Sequence, residues 1–135
     1  MFRAGSFGTV FLLTTWEFLA DPLKVLRECR RVLRPDGRLV NAYLDRDGKW
    51  GANYSERGRQ GHPLFSLARF DKYEDVKRLT EQAGFEVLKT VSSLFQDPGE
   101  TVFVEEPRPG FVRGASFVIL MARVSTDRPT SPATR

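Results

Sequence analysis

The first hydrophobic run of the chain predicts a buried strand that leads into a helix. Residues 7–15 (FGTVFLLTT) have almost no polar interruption, a pattern typical of a strand covered on both faces. Asp21 and Pro22 then predict a helix start, because aspartate caps free amides and proline fits the first helical position. Apolar residues recur every three or four positions from Leu23 to Leu33, which predicts a helix to about Leu33.

A second strand follows this helix. Residues 35–37 (PDG) predict a turn that ends the helix, and residues 38–44 (RLVNAYL) predict the strand. Two strands joined by a helix form the parallel βαβ unit, whose crossover is almost always right-handed. The pattern therefore predicts an α/β fold.

The segment 45–69 has no clear periodicity. It is polar and rich in glycine, yet it carries Trp50, Tyr54, His62 and Phe65. A long aperiodic segment inside a small domain is often a functional loop, so one interpretation is a lid or substrate loop. The other interpretation is a partly helical surface insertion whose aromatic side chains pack on the body. The sequence leaves both open.

The remaining residues predict a helix and two more strands. A helix begins at Asp71, with Glu74 as its capping-box partner and Gly84 as its left-handed terminator. Residues 85–95 predict a strand, 96–110 a long turn, and 115–124 a nearly continuous apolar strand that should be central in the sheet and antiparallel to its predecessor. Residues 1–124 would then form one domain, and 125–135, rich in Pro, Ser and Thr, are expected to be disordered.

Composition narrows the class of protein. The 135 residues suffice for one domain, and 21 basic against 17 acidic residues give a net charge of +4. The two signs are mixed along the chain, which makes nucleic acid an improbable partner. The single cysteine, Cys29, excludes an internal disulfide, lies on the apolar helix stripe as a buried thiol, and fits a reducing cytoplasm. No apolar run predicts a membrane span, and one Cys and one His support no metal site.

Three stretches carry a resemblance to a known family. They are residues 5–10 (GSFGTV), residues 21–39, with ECRRVLRPDGRL at their centre, and residues 70–85, which end in Ala83, Gly84 and Phe85. With the order of elements, they resemble the C-terminal half of a class I S-adenosylmethionine-dependent methyltransferase, among the type 11-like small-molecule enzymes. The resemblance implies a partial Rossmann-like sheet, equivalent to the fourth to seventh strands, with the last pair antiparallel. It also implies S-adenosylmethionine as cofactor and a small molecule as methyl acceptor.

The resemblance also implies site residues, since ligands of open α/β sheets bind outside the carboxyl ends of the strands. Leu13 and Thr14 would line the methionine side of the cofactor, whereas Thr15, Trp16 and Phe18 would face the methyl-transfer space. Trp50 and Tyr54, with Phe65, would close over an apolar or aromatic acceptor. The residues alone leave open that Thr14 and Thr15 end a strand while Trp16 and Phe18 pack in the core. Glu17 and His62 are candidate bases, and no residue is assigned as catalytic.

The chain departs from the family pattern in its first part. It contains no G-x-G turn, Gly8 stands where the family usually has aspartate, and its first residues already resemble the approach to the fourth strand. We therefore expect a truncated domain that holds the acceptor side and lacks most of the cofactor side. One alternative is a non-catalytic interaction module that forms a homodimer, or binds a partner supplying the missing half, through the free edge of strand 7–15. Half of a nicotinamide-dependent dehydrogenase would share the βαβ unit but not the antiparallel pair.

Overall fold

The described residues of the chain fold as a five-stranded mixed sheet with helices packed against it. A computed structural model describes residues 1–99, 101 and 103–126. The strands are β1 (Phe7–Leu13), β2 (Leu33–Leu44), β3 (Phe85–Ser93), β4 (Arg108–Pro109) and β5 (Phe117–Val124), in the order β1-β2-β5-β3-β4. The helices are α1 (Pro22–Val32), α2 (Lys49–Arg59) and α3 (Tyr73–Gln82), and short 3₁₀ turns occur at Trp16–Phe18 and Phe65–Leu67.

The βαβ unit is confirmed. β1 and β2 are parallel, with Leu13 opposite Ala42 at their carboxyl ends. Helix α1 begins where the sequence predicts, because the Asp21 carboxylate accepts a hydrogen bond from the Lys24 amide at 3.2 Å. The unit therefore brings the carboxyl ends of two neighbouring strands to one edge of the sheet.

The predicted turn at residues 35–37 is wrong in its form. β2 begins at Leu33, five residues earlier than expected, and the chain is looped out between Leu33 and Arg38: Phe7 faces Leu33 and Thr9 faces Arg38. A Cβ atom on Gly37 would lie 2.8 Å from the carbonyl oxygen of Arg34, so this close approach requires glycine. The Pro-Asp-Gly motif is thus an irregularity within a strand.

The antiparallel arrangement of the last strands is confirmed. β5 lies between β2 and β3 and runs antiparallel to both. Alternate residues of β5 are buried, with Val118, Leu120 and Ala122 fully so, as expected of a central strand. The sequence did not predict the two-residue strand β4. It lies near the end of the segment predicted as a long turn and pairs with β3.

The start of the last helix differs from the prediction. α3 begins at Tyr73, after Lys72, and no side chain caps its amides, so the proposed capping box is absent. The Asp71 carboxylate instead accepts a hydrogen bond from the indole nitrogen of Trp16 at 2.9 Å. Gly84 adopts the left-handed φ of 96° expected of a terminator.

The core lies between the sheet and helices α1 and α3. Leu26, Leu39, Tyr43 and Val76 are fully buried there, and Cys29 is buried with them, as predicted. Burial raises the pKa of the Cys29 thiol, so it remains protonated. Of the tail expected to be disordered, residues 127–135 lie outside the described residues. Within the described part of the chain, no helix has the length and apolar character needed to cross a bilayer.

Candidate functional site

The carboxyl ends of β1 and β2 meet in an irregular piece of backbone. The Thr14 amide still donates to the carbonyl of Ala42 at 2.8 Å, but Thr14 itself has a φ of 46°. A branched residue rarely adopts this left-handed conformation, and such strain clusters at ligand sites. The chain turns sharply here and places the next residues over the end of the sheet.

The 3₁₀ turn that follows sends its side chains in different directions. Trp16 is 1% exposed and hydrogen-bonded to Asp71, so the structure places its ring in the core and not in the open methyl-transfer space implied by the resemblance. Phe18 is 43% exposed and lies at the surface. Of the two aromatic residues, only Phe18 is therefore available to a ligand.

Glu17, between them, is the most unusual group of the site. It is 2% exposed, and its Oε1 accepts a hydrogen bond from the Leu44 amide at 2.5 Å. Its Oε2 is buried without a hydrogen-bond partner among the described residues. Burial raises the pKa of the Glu17 carboxyl and the negative charge of Asp71 raises it further, whereas the Leu44 amide lowers it. A ligand that donates to Oε2 would relieve this burial cost.

Glu17 lies in the wall of a small cavity at this edge of the sheet, which we call the β1–β2 cavity. Its volume is about 200 Å³, and it is lined by Thr14, Glu17, Phe18, Leu44, Leu64, Phe65 and Phe70. An apolar cavity of about 150 Å³ is enough to hold one benzene molecule. The β1–β2 cavity therefore has room for a single ring beside the buried carboxylate.

Two other predicted residues at the end of β1 lie differently. Leu13 is 66% exposed and does not line the β1–β2 cavity. The exposed Thr15 directs its hydroxyl to the carbonyl of Leu13 at 3.0 Å. Of the residues predicted at this strand end, Thr14, Phe18 and the candidate base Glu17 line the cavity directly.

The aromatic residues of the segment 45–69 reach the β1–β2 cavity through Phe65. α2 carries Trp50 and Tyr54, whose rings meet edge to face at 5.9 Å, and Tyr54 stacks on Phe65 at 4.3 Å. The Trp50 indole donates to the Gln96 carbonyl at 3.0 Å, which fixes α2 to the body. Trp50 and Tyr54 thus support a wall of the cavity without lining it.

His62 holds the backbone next to this wall. Its Nδ1 accepts hydrogen bonds from the amides of Leu64 and Phe65, both at 3.2 Å, and its ring stacks on Phe65 at 4.3 Å. These contacts position the 3₁₀ turn and occupy one ring nitrogen. Of the two candidate bases, Glu17 is the one that lines the β1–β2 cavity.

Sequence reasoning missed three lining residues: Leu44, Leu64 and Phe70. Leu44 ends β2, so the rule that names the carboxyl edge of a sheet could have found it. Leu64 comes from the aperiodic segment and Phe70 directly follows it, and no pattern in the sequence indicates that these side chains face inward. In the described part of the chain, no three His, Cys, Asp or Glu residues group as metal ligands.

Known proteins of similar sequence and structure identify the fold. Residues 1–41 match a family model described as a methyltransferase domain. The structure of an S-adenosylmethionine-dependent methyltransferase of Thermotoga maritima, described as a "possible histamine N-methyltransferase", superposes with a TM-score of 0.81 at 31% identity, covering 92% of this chain and 59% of that one. The chain has the fold of the S-adenosylmethionine-dependent methyltransferases. The mixed Rossmann-like sheet with flanking helices, predicted from the sequence, is confirmed.

Two further proteins extend the comparison. A methyltransferase of Burkholderia thailandensis, solved with 1,6-didemethyltoxoflavin and S-adenosylhomocysteine bound, has a TM-score of 0.60 at 15% identity, over 93% of this chain and 47% of that one, and shares the fold. An uncharacterized protein of Mycobacterium tuberculosis is 34% identical over 129 residues, which are 95% of this chain and 45% of the relative. The chain thus spans about half the length of this curated relative. S-adenosylmethionine is the cofactor that the resemblance to these methyltransferases supports.

Proposed function

We propose that residues 1–124 form the acceptor-side half of a methyltransferase domain that transfers a methyl group from S-adenosylmethionine to a small molecule. The observation that carries the proposal is the β1–β2 cavity, because it lies at the carboxyl ends of parallel strands, where ligands of this fold class bind. The coverage of the relatives supports a match to only part of a longer domain, and the absence of a G-x-G turn from the sequence supports its C-terminal half.

The residues at the end of β1 fit contact with one end of the cofactor. Leu13 and Thr14 are exposed at this edge, and the strained Thr14 turn opens the backbone toward the cavity. Drug-sized ligands occupy sites of about 300–1,000 Å³, so the β1–β2 cavity, at about 200 Å³, is too small for S-adenosylmethionine, which would lie outside it along Leu13 and Thr14. When bound, S-adenosylmethionine supplies a methyl group on a positively charged sulfur.

The acceptor would occupy the β1–β2 cavity itself. Phe18, Phe65 and Phe70 supply flat apolar walls that orient a ring and exclude water, and orientation alone accounts for much of the catalysis of a displacement reaction. Residues 45–69 act as the substrate segment of the domain, with Trp50 and Tyr54 as second-layer residues that hold Phe65 in place. The exposed Thr15 would contact the acceptor from outside the cavity.

Calorimetric titration of S-adenosylhomocysteine into the purified chain tests the cofactor part of the proposal. We expect measurable but weak binding, because the chain offers exposed contacts to only one end of the cofactor, at Leu13 and Thr14. Leu13→Arg should weaken binding, since it places a long charged side chain at the contact. Leu67→Arg, at a position that is 74% exposed and outside the cavity, is the matched control. A folded chain that binds no S-adenosylhomocysteine contradicts cofactor binding by these residues.

A second candidate function is self-association through β1. β1 lies at the edge of the sheet, and no strand of the described residues pairs with its outer side. Phe11 and Leu13 are 69% and 66% exposed, and the strand FGTVFLL contains neither charge nor proline, the features that normally protect an edge. These observations favour a second copy of the chain as the partner of this edge.

We also propose a cytoplasmic location for the protein, which the single free cysteine, Cys29, supports.

A further inference from the structure

The walls of the β1–β2 cavity combine one buried carboxylate with aromatic rings. Glu17 Oε2 has no hydrogen-bond partner among the described residues, although Glu17 is only 2% exposed. Phe18, Phe65 and Phe70 provide three rings around the same space. A buried acceptor without a donor is costly, so a ligand with a donor at this point gains the whole hydrogen bond.

The charge around Glu17 selects among possible donors. Asp71 adds a second negative charge near Glu17, and Oε1 already receives the Leu44 amide. A hydroxyl acceptor would carry developing negative charge next to two carboxylates, which is unfavourable. A protonated amine instead neutralises Glu17, and aromatic faces attract cations as well.

From this geometry we infer that the methyl acceptor is a small aromatic or arylalkyl amine whose nitrogen donates to Glu17 Oε2 while its ring lies among Phe18, Phe65 and Phe70. The inference rests on the proposed function and names the substrate class of the same cavity. The cavity volume of about 200 Å³ limits the acceptor to one ring with a short amine arm.

The same contact gives Glu17 a catalytic role. One N–H proton of the ammonium passes to Glu17 Oε2, and the nitrogen lone pair that it leaves forms the new bond to the methyl carbon. A bound S-adenosylmethionine would supply that methyl group, and its carbon–sulfur bond would break with the electron pair retained by a neutral sulfur. The raised pKa of the Glu17 carboxyl suits it to accept this proton.

Titration of the full chain with two probes, benzylamine and benzyl alcohol, tests the inference without cofactor. The probes share a ring and differ in the ammonium against the hydroxyl. Followed by amide NMR shifts, benzylamine should bind at least about tenfold tighter than benzyl alcohol, since its hydrogen bond to Oε2 is charge-assisted. Equal affinity, tighter binding of the alcohol, or no binding of either probe overturns the inference.

Two variants assign the preference to Glu17. Glu17→Gln keeps an oxygen for the Leu44 amide but removes the charge, so the preference for benzylamine should disappear. Glu81→Gln removes one exposed acid of α3 that pairs with Lys77, and should keep the preference. A preference that survives in Glu17→Gln contradicts the inference. The comparison of probes in the unaltered chain decides the matter even where Glu17→Gln folds poorly.

The two proposals fail separately. A chain that prefers benzylamine but does not bind S-adenosylhomocysteine retains the amine site and loses the proposed cofactor contact. A chain that binds S-adenosylhomocysteine and shows no preference between the probes retains the proposed function and loses the amine inference.

Discussion

Asp45 is a buried acid outside the β1–β2 cavity, and it makes the stability of the chain depend on pH. It is fully buried beyond the end of β2, where its carboxylate accepts a hydrogen bond from the Asp47 amide at 3.0 Å. Burial raises its pKa from 3.8 to about 6, and the charges of Asp47 and Glu74 add to this effect. The folded chain therefore holds a proton that the unfolded chain releases between these two values.

We expect the free energy of unfolding to fall as the pH rises through this window. Between these two pKa values the folded state binds more protons than the unfolded state, so the free energy of unfolding has a negative slope with pH. The stabilisation by protonated Asp45 is lost completely above the folded pKa of about 6. The contribution is at most about 3 kcal/mol. The side chain of Asp45→Asn cannot ionise. The free energy of unfolding of this variant should therefore rise relative to that of the unaltered chain as the pH increases from about 4 to about 7. Urea unfolding at several pH values measures the difference.

Asp36→Asn controls for the loss of one negative charge, because its side chain is exposed and pairs only loosely with Arg34 at 3.6 Å. Its stability should follow that of the unaltered chain across the same pH range. An Asp45→Asn variant whose stability also runs parallel to the unaltered chain would contradict the role given to Asp45.

Single residues mark the limit of what the sequence could predict about the site. Glu17 was a candidate base by position alone, since it follows a strand end. The pattern WEF could not show that Trp16 turns into the core toward Asp71, fifty-five residues away, while Glu17 turns toward the Leu44 amide. Such directions depend on contacts between distant segments, which local spacing does not encode.

Among the elements, those with strong local signals were predicted well. α1 carries its cap, its proline and its apolar stripe within a dozen residues, and it begins at Pro22 as expected. β5 is apolar almost throughout, and it is central as expected. The segment 45–69 has no such periodicity: its helix α2 is fixed by contacts made elsewhere, such as the hydrogen bond from Trp50 to the Gln96 carbonyl.

The cap of α1 gives a prediction for that element. Asp21→Ala removes the acceptor of the Lys24 amide and should lower the free energy of unfolding by about 1 kcal/mol. Asp21→Asn keeps a capping oxygen and should lose less. Urea unfolding with unchanged slope is the measurement. If Asp21→Ala and Asp21→Asn lose the same amount, the charge of the side chain matters and the hydrogen bond does not.

Asp71 shows why an aspartate that predicts a helix start correctly at α1 gave a wrong capping prediction at α3. It precedes α3 as Asp21 precedes α1, and Glu74 stands at capping-box spacing. Its carboxylate, however, is held by the Trp16 indole and by Arg69, so Lys72 takes the cap position without a side-chain bond. A tertiary partner has replaced a local one.

At the scale of the whole molecule, β1 lies at the edge of the sheet although its sequence is typical of an interior strand. Its residues are apolar on both faces, a pattern typical of strands that are covered on both faces inside a parallel sheet. An apolar groove of about 450 Å³ lies between β1 and α1, lined among others by Phe7, Val10, Val25 and Cys29. The sequence analysis predicted this free edge, because the resemblance places residues 7–15 in the interior of a full methyltransferase sheet.

We therefore expect the chain to self-associate through β1 in solution. In sedimentation velocity, the weight-average mass should rise with concentration toward that of a dimer, since pairing of the edge satisfies free backbone groups and covers Phe11. Phe11→Lys should keep the chain monomeric, because a charge on the edge strand opposes pairing. Leu67→Lys is the matched control, because it also replaces an exposed apolar residue with lysine, at a position 74% exposed in the second 3₁₀ turn. This variant should associate like the unaltered chain. A strict monomer at high concentration, or equal effects of the two variants, would remove β1 as the interface.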